Sequence, residues 1–557
     1  MKRNMLTTVS DCLKETIRNA YGVEVDPVLT RPEAQFGDIA TNVALQLAKQ
    51  VGKKPQEVAG VLAGAVRELD EVQDATVAGP GFLNITLSDS ALLGAWSLET
   101  EQHYRHQTVV VEYSDPNPFK VLHAGHLYTS IMGDAIANFV EAAGGDVHRV
   151  NFGGDVGLHV GKSMWAIVKA LGGENPDALA DIPADERAQW MAARYVEGSN
   201  AYEDDASAKD AIVTYNKRVY QLHAEGDTES PFARIYWMCR EWSYAYFDEF
   251  YARIGTQFEK YYPESSVAER GLREVRAQIG EVFDESNGAV VFVGEAFGLH
   301  TRVFINREGL PTYEAKDVGL IFHKYDDYRF DRSIVITATE QEQYMAVVLK
   351  AIEQFAPELA RSSTHLTHGI VKLAGGVKMS SRKGNFLRAV DVLDVANQAN
   401  AELNGTPDER VSLGAVKYAF LRQRMGGDIV YDPKESVSLQ GNSGPYLQYA
   451  HARACSILAK SEAEAHLDGS VLDESERALV RKLSEYTQVV SDATRELMPH
   501  LVGTYLYELA QTFNRFYERS RIIGDPRESS RLELVRRYRD TLAHGLDLLG
   551  IAAPDRL

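Results

Sequence analysis

The sequence predicts a multidomain α/β protein. A Rossmann-type domain built on a parallel sheet is preceded by a small α/β domain and followed by an α-helical bundle. Three observations lead there. From about Thr108 onward, strand-like apolar runs alternate with helical periods, the pattern of a parallel sheet covered by helices on both faces. The run Val109-Val110-Val111 passes through a short loop into an amphipathic stretch, Leu127 to Val140, closed by Gly144-Gly145. That is a strand, a tight loop and a helix. From about Ala389 to the end, apolar residues recur mostly at helical spacing.

Taken in order, residues 1–100 read as the small α/β domain. Helical periods cover Asp38 to Val51 and Pro55 to Glu68, Gly81 to Leu87 reads as a strand, and Ser88 to His106 as a helix and linker. The Rossmann-type domain occupies residues 106–388, with strands expected at Val109–Tyr113, Asp146–Phe152, Val290–Val293 and Ile334–Thr337. A stretch rich in Ala, Asp, Glu and Gly, Gly172 to Asp210, interrupts the alternation and opens a helical insertion spanning about 172–253. Residues 389–557 form the final helical region, without internal repeats or a low-complexity tail.

At 557 residues the chain exceeds one ordinary core, and three or four domains are expected. A hydrophobic content of 45% and a charged content of 25% are those of a globular protein. Met1 to Gly22 lacks the apolar core of a signal peptide, and no run matches a membrane span. A cytoplasmic protein without a membrane partner is expected. Cys12, Cys239 and Cys455 are far apart in sequence, so neither a disulfide framework nor a zinc cluster is expected. The net charge of −20 runs against a general nucleic-acid binder, although an acidic body can carry a local basic face. The candidate stretches are Lys378 to Lys383, Lys417 to Arg424 and Arg531 to Arg539; Arg536-Arg537 reads more simply as a solvated helix face.

Two motifs carry the chemistry. His123-Ala124-Gly125-His126 falls where the strand gives way to the helix. A helix start offers unpaired N–H groups and the positive end of the dipole, which favour a phosphate. Gly125 would let a nucleotide approach the backbone, and the two imidazoles can donate to phosphate oxygens. Far downstream, Lys378-Met379-Ser380-Ser381-Arg382-Lys383-Gly384-Asn385 is a short basic loop ending in a glycine turn. Alone, either motif is as consistent with a surface turn. Together and in this order they point to ATP held for attack at its α-phosphate.

The pair resembles the HIGH and KMSKS signatures of class I aminoacyl-tRNA synthetases. The flanks are similar to those of the arginyl-tRNA synthetase family. Val110-Val111-Glu112-Tyr113-Ser114-Asp115-Pro116-Asn117, then Lys120 and His123 to His126, resemble its V-E-x-S-x-P-N…K…H-A-G-H block. Further resemblances lie at Phe36 to Asn42, Gly79 to Asn84, Gly444 to Arg453, Tyr505 to Ala510 and Leu546 to Pro554. They run nearly end to end, and the ordered series is far more specific than any one motif.

The resemblance implies two steps: arginine and ATP give arginyl-adenylate, and the terminal ribose of tRNA(Arg) then takes the arginine. It implies ATP with Mg²⁺ as a substrate complex, no tightly bound cofactor, no zinc, and a monomer. His123, His126, Lys378, Arg382 and Lys383 are the implied catalytic residues; Lys120, Gly125, Met379 and Ser380 join both histidines around ATP. Ser381 stands where the signature has its second lysine, which leaves Arg382 and Lys383 to share that charge. Arginine is assigned to Glu112, Ser114, Asn117, Tyr313, Asp317 and Gln341, with Gln343 competing for the last role. A guanidinium demands carboxylates in a planar, bidentate arrangement, and Tyr313 and Asp317, four apart, share one helix face. Phe82 and Asn84, alternating on a strand, offer a stacking ring and an amide to an unpaired base of the tRNA corner. Residues 389–557 correspond to a stem-contact region and the anticodon-binding bundle, with Tyr446, Tyr449 and Tyr505 among its aromatics.

Three other readings compete. Another class I synthetase, such as the cysteinyl enzyme, predicts a zinc site that the cysteine count disfavours. An adenylate-forming enzyme without tRNA, such as a pantoate–β-alanine ligase, leaves both terminal domains without purpose. A non-catalytic RNA-binding paralogue would have lost His123, His126 or Lys378, all of which are present.

Overall fold

The computed structural model describes residues 5–374, 387–405, 408–467 and 471–557. The chain begins with α1 (Met5–Tyr21), whose Met5, Val9, Leu13 and Ile17 recur every four residues and are all buried. There follow β1 (Ile39–Thr41), α2 (Val43–Val51), α3 (Pro55–Arg67), β2 (Val72–Ala78), β3 (Phe82–Leu87) and α4 (Asp89–Ala95). The three strands form an antiparallel sheet in the order β1-β3-β2. One expected helix begins later here. The segment Asp38–Thr41 is not helical: Ile39 and Thr41 pair with Ile85 and Leu83, and the helix starts only after Asn42. Strand β2 escapes a period-2 reading because a bulge between Val72 and Asp74 shifts its alternation.

The central domain holds β4 (Thr108–Glu112), α5 (Ala124–Ala142), β5 (Asp146–Gly153), α6 (Leu158–Ala170), α7 (Arg187–Asp204), α8 (Ala206–Glu225), α9 (Pro231–Ile254), β6 (Lys260–Pro263) and α10 (Glu264–Ala277). It continues through β7 (Asp284–Ser286), β8 (Ala289–Phe292), β9 (Arg302–Ile305), α11 (Tyr313–Tyr328), β10 (Arg332–Ala338), α12 (Glu342–Phe355), α13 (Pro357–Ser362), β11 (Ser363–His368) and β12 (Val371–Leu373). Its main sheet has the order β11-β10-β4-β5-β6, parallel throughout. The chain moves outward from β4 to β5 on one side and returns to β10 on the other, which makes the carboxyl ends of β4 and β10 a switch point where ligands bind.

The expected strand Val290–Val293 is real but belongs elsewhere. It is β8, centre of a separate antiparallel sheet β7-β8-β9. A fully buried apolar run looks alike in either sheet. The strands that complete the parallel sheet, β6 and β11, are edge strands with mixed sequences, Lys-Tyr-Tyr-Pro and Ser-Thr-His-Leu-Thr-His. Helices α7 to α9 pack on α6 over a core that includes Met164, Ile167, Met191, Leu222 and Tyr236.

The rest is mainly helical: α14 (Ala389–Asn404), α15 (Glu409–Leu421), β13 (Ile429–Tyr431), α16 (Pro433–Ser436), α17 (Gly444–Ala459), α18 (Glu474–Leu483), α19 (Tyr486–Glu496), α20 (His500–Arg519) and α21 (Glu528–Leu548). Strand β13 pairs with β12. The amino-terminal unit docks on this bundle: Arg477 reaches Asp38 Oδ2 at 2.8 Å, and Trp96 Nε1 donates to Thr541 Oγ1 at 2.9 Å.

Basic residues expected to face RNA are taken up by partners within the fold. Arg531 pairs with Glu476 at 2.9 Å, Arg536 and Arg537 both hold Glu533, and Arg537 also caps Leu93 O at 2.8 Å. Lys417 is buried with Nζ donating to Gly550 O at 2.6 Å, and Arg422 pairs with Glu435. Most of these pairs lie within the helical region, because a guanidinium between packed helices finds carboxylates before it finds solvent, and the Arg537–Leu93 bond crosses to the amino-terminal unit. Among the described residues no helix is long and apolar enough to cross a membrane.

Candidate active site

The first motif forms the start of α5. His123 is the N-cap, with extended backbone, and its Nδ1 accepts from the N–H groups of Gly125 (3.1 Å) and His126 (3.3 Å). His126 Nδ1 in turn accepts from His123 N–H at 3.1 Å. This is a reciprocal capping box built from two imidazoles, whose rings stack with centroids 3.7 Å apart. Ala124 N–H is taken by Leu387 O at 2.9 Å. The expected open amides of the helix start are therefore already bonded. With each Nδ1 accepting, each ring carries its hydrogen on Nε2, the atom through which an imidazole can donate to a phosphate.

Gly125 also acquires a different purpose. A Cβ there would lie 2.8 Å from Cε1 and 2.9 Å from Nδ1 of His123. The glycine lets His123 fold back over its own helix. Burial, reinforced by Lys120, lowers the His123 ring to about 4, and burial together with His123 lowers His126 well below its usual range. Both are neutral near pH 7. Lys120 itself sits 4.4 Å above the ring of Tyr195, on α7.

Lys378, Met379, Ser380, Arg382 and Lys383 lie outside the described residues. Their neighbours are anchored at the site: Ala374 N–H bonds Tyr431 O at 3.0 Å, while Leu387 O receives Ala124 N–H and Ala389 N–H bonds Leu122 O at 2.9 Å. The segment after the second motif thus pairs with the first motif.

Between β4 and α5 three non-glycine residues have positive φ: Ser114 (75°), Asp115 (49°) and Phe119 (68°). Such strain persists only when neighbours hold it. Asp115 Oδ1 accepts from Phe152 N–H at 2.8 Å, and Phe119 N–H donates to Ser243 Oγ at 2.9 Å. Ser114, expected at the arginine, is buried with its hydroxyl 2.8 Å from Tyr251 OH, so it fixes the loop. Asn117 Oδ1 accepts from Gly154 N–H at 2.8 Å. Gly154 has no room for a side chain, since a Cβ would stand 2.5 Å from Asn117 Oδ1 and 3.0 Å from Glu264 Oε1.

Tyr313 and Asp317 lie in the first two turns of α11; Tyr313 is exposed and Asp317 is buried. Asp317 accepts from Tyr344 OH, and burial raises its carboxyl to about 8. Glu112 lines the same narrow cavity, with Lys324, Met345 and His365. Glu112, assigned to the arginine from the sequence, is already partnered: buried Lys324 Nζ is paired with it and also donates to Ser333 Oγ at 3.0 Å. Gln341 and Gln343 both lie exposed just beyond β10, and neither is singled out.

Several residues here escaped the sequence reading: Lys324, Tyr344, Thr129, His368, and the buried pair Glu264–Lys316 at 2.5 Å. His368 Nε2 stands 2.6 Å from Thr129 Oγ1 on α5. Gly153-Gly154-Asp155, closing β5, was the overlooked signal: paired glycines at a strand end mark close approach. His159, just after it, bonds Gly154 O at 2.7 Å, and burial holds its ring at about 3.

On the amino-terminal unit, Phe82 is 42% exposed, and Asn84 lies half-buried two residues along the same strand face. In the bundle Tyr505 is core, its OH on Lys482 O at 2.9 Å, whereas Tyr449 is exposed and Tyr446 half-buried.

A parallel sheet with its crevice at the β4/β10 switch, an imidazole-capped helix at that crevice, and the flank of a Lys-Met-Ser loop bonded to it define a class I aminoacyl-tRNA synthetase. Family models match in succession: arginyl tRNA synthetase N terminal domain at residues 6–87, the catalytic domain of tRNA synthetases class I (R) at 89–432, and a DALR anticodon binding domain at 447–557. The chain belongs to the arginyl-tRNA synthetase family. It is 30% identical to an arginine--tRNA ligase of Synechococcus elongatus, covering 99% of each chain, and 28% identical to that of Bacteroides thetaiotaomicron, covering 97% of this chain and 98% of the relative. Among solved structures, Thermus thermophilus arginyl-tRNA synthetase superposes with a TM-score of 0.82 at 26% identity, over 99% of this chain and 100% of that one.

Proposed function

We propose that the chain activates L-arginine with ATP and transfers it to tRNA(Arg). The arginine carboxylate attacks the α-phosphate, pyrophosphate leaves, and arginyl-adenylate forms. The terminal ribose hydroxyl of the tRNA then attacks the acyl carbon and AMP leaves. The observation that carries this reading is the imidazole-capped start of α5, bonded to the flank of the second motif, beside a cavity lined by Glu112 and Asp317. Phosphoryl transfer of this kind is a matter of positioning and charge stabilisation. His123 and His126 donate to the phosphates through Nε2, with Lys120 adding charge; Lys378 and the residues through Lys383 meet the departing pyrophosphate. Mg²⁺ enters with ATP, held by phosphate oxygens and water.

Asp317 takes the guanidinium, with Tyr313 over it. Glu112, neutralised by Lys324, shapes the wall behind. Asn117 orients the α-amino and carboxylate end, and Gln341 closes the site. Residues 1–100 take the tRNA corner through Phe82 and Asn84, and residues 389–557 take the stem and anticodon. The enzyme works in the cytoplasm as a monomer.

The test is a split of Michaelis constants. Asp317→Asn keeps the shape and removes the charge of a dry pair, which costs about 2–5 kcal/mol when broken. The arginine KM should rise at least about 30-fold with the ATP KM nearly unchanged. Lysine should stay a poor substrate, since an ammonium cannot reproduce the planar fork. Equal damage to arginine and ATP use would show that Asp317 is structural.

A further inference from the structure

Helix α17 grips the last residues of the chain with one face. Gln448 Nε2 donates to Ala552 O at 2.8 Å, and one turn on His451 Nδ1 donates to Pro554 O at 3.1 Å. One further turn along, Cys455 Sγ lies 3.4 Å from Asp555 Oδ1 and 3.8 Å from His451 Nε2. Ligand atoms of these three side chains all lie within 4.8 Å of one another. Zinc binds sulfur at about 2.3 Å and nitrogen or oxygen at about 2.0–2.2 Å, so tetrahedral ligand atoms stand roughly 3.3–3.6 Å apart. Two of the separations, 3.4 and 3.8 Å, are close to that spacing.

The His451 ring is set as a ligand ring is set. A ligating histidine ordinarily gives its other N–H to a carbonyl, which fixes the tautomer. Here Pro554 O takes the Nδ1 hydrogen, which leaves Nε2 with the lone pair, and Cys455 Sγ stands 3.8 Å from both ring nitrogens. His451 is buried, Cys455 half-buried and Asp555 exposed, so a cation can enter from solvent.

We propose that His451 Nε2, Cys455 Sγ and the Asp555 carboxylate form a site for a thiophilic divalent cation, Zn²⁺, with water in the fourth position. The site is remote from the chemistry and clamps the carboxyl-terminal segment. That segment also presents Gly550 O to Lys417, close to Asp134 of α5, so the clamp braces the contact between bundle and catalytic helix. The thiol must lose its proton to solvent when the metal–sulfur bond forms.

The test uses the full chain, stripped of metal under reducing conditions and titrated with Co²⁺ as the probe. We expect a thiolate-to-cobalt charge-transfer band that saturates at one equivalent and is bleached by Zn²⁺. Zn²⁺ should also raise Tm. Cys455→Ser should lose the band and the Tm rise, Asp555→Asn should keep the band but weaken cobalt binding at least about tenfold, and Cys12→Ser should change neither. Absence of the band in the parent chain, its survival in Cys455→Ser, or its loss in Cys12→Ser would each overturn the site.

Discussion

Replacing Gly125 with alanine separates two purposes for that glycine. The new methyl would stand 2.8 Å from Cε1 and 2.9 Å from Nδ1 of His123, too close to coexist with the folded-back ring. The ring can swing away, so the cost is the lost cap more than the clash. Two N–H bonds to Nδ1, at 3.1 and 3.3 Å, are given up, worth about 1 kcal/mol of stability as a cap. The larger loss is at the transition state. A preorganised donor displaced from developing charge costs roughly 3 kcal/mol, or about a hundredfold in rate. Gly125→Ala should therefore remain folded, lower kcat for ATP–pyrophosphate exchange about a hundredfold, and leave the ATP KM within a few-fold. If the glycine merely made room for nucleotide, the ATP KM would rise while kcat held. That pattern, or a normal kcat in a folded protein, would refute the capping role.

His126→Ala should reproduce the loss in kcat, with arginine binding measured by calorimetry intact. With His123 lowered to about 4 and His126 lowered well below its usual range by burial, the rate should show no histidine limb between pH 6 and 8. Asp317, raised to about 8 by burial, must be ionised to hold a guanidinium, so the arginine KM should fall about tenfold per pH unit up to pH 8 and then level. In the arginine-free protein the same carboxyl makes stability fall as pH climbs from the ordinary carboxylate range to about 8, which pH-dependent melting will reveal. Lys324→Met strands the buried Glu112 carboxylate and should cost about 3–5 kcal/mol in a denaturant titration. Phe82→Ala, at an exposed ring, should raise the tRNA KM by about 1–3 kcal/mol of lost stacking with Tm unchanged; a large fall in Tm would make it a core residue.

How far the sequence reveals this molecule depends on whether the relevant physics is local. The strand–loop–helix from Val109 to Val140 is legible because its period changes within thirty-odd residues and its motif marks the helix start. The same four residues conceal their own packing: a histidine that caps by folding over a glycine cannot be read from His-Ala-Gly-His. Glu112 reads as an available carboxylate because Lys324, its partner, lies 212 positions away. Arg531 to Arg537 read as a basic face because Glu476 and Leu93 come from other elements. Strands β6 and β11 are missed for a different reason: edge strands need little apolar surface, so Lys-Tyr-Tyr-Pro carries no strand pattern of its own. Cys455 looks solitary because Asp555 is a hundred residues on.

Amino-acid and tRNA specificity together are tested most directly by one measurement. The purified chain is given ATP, total tRNA and each of the standard amino acids separately, and acid-stable charging is followed. Arginine alone should be charged, and only tRNA(Arg) should carry it. Charging with a different amino acid, or adenylate formation with arginine that never reaches any tRNA, would contradict the assignment.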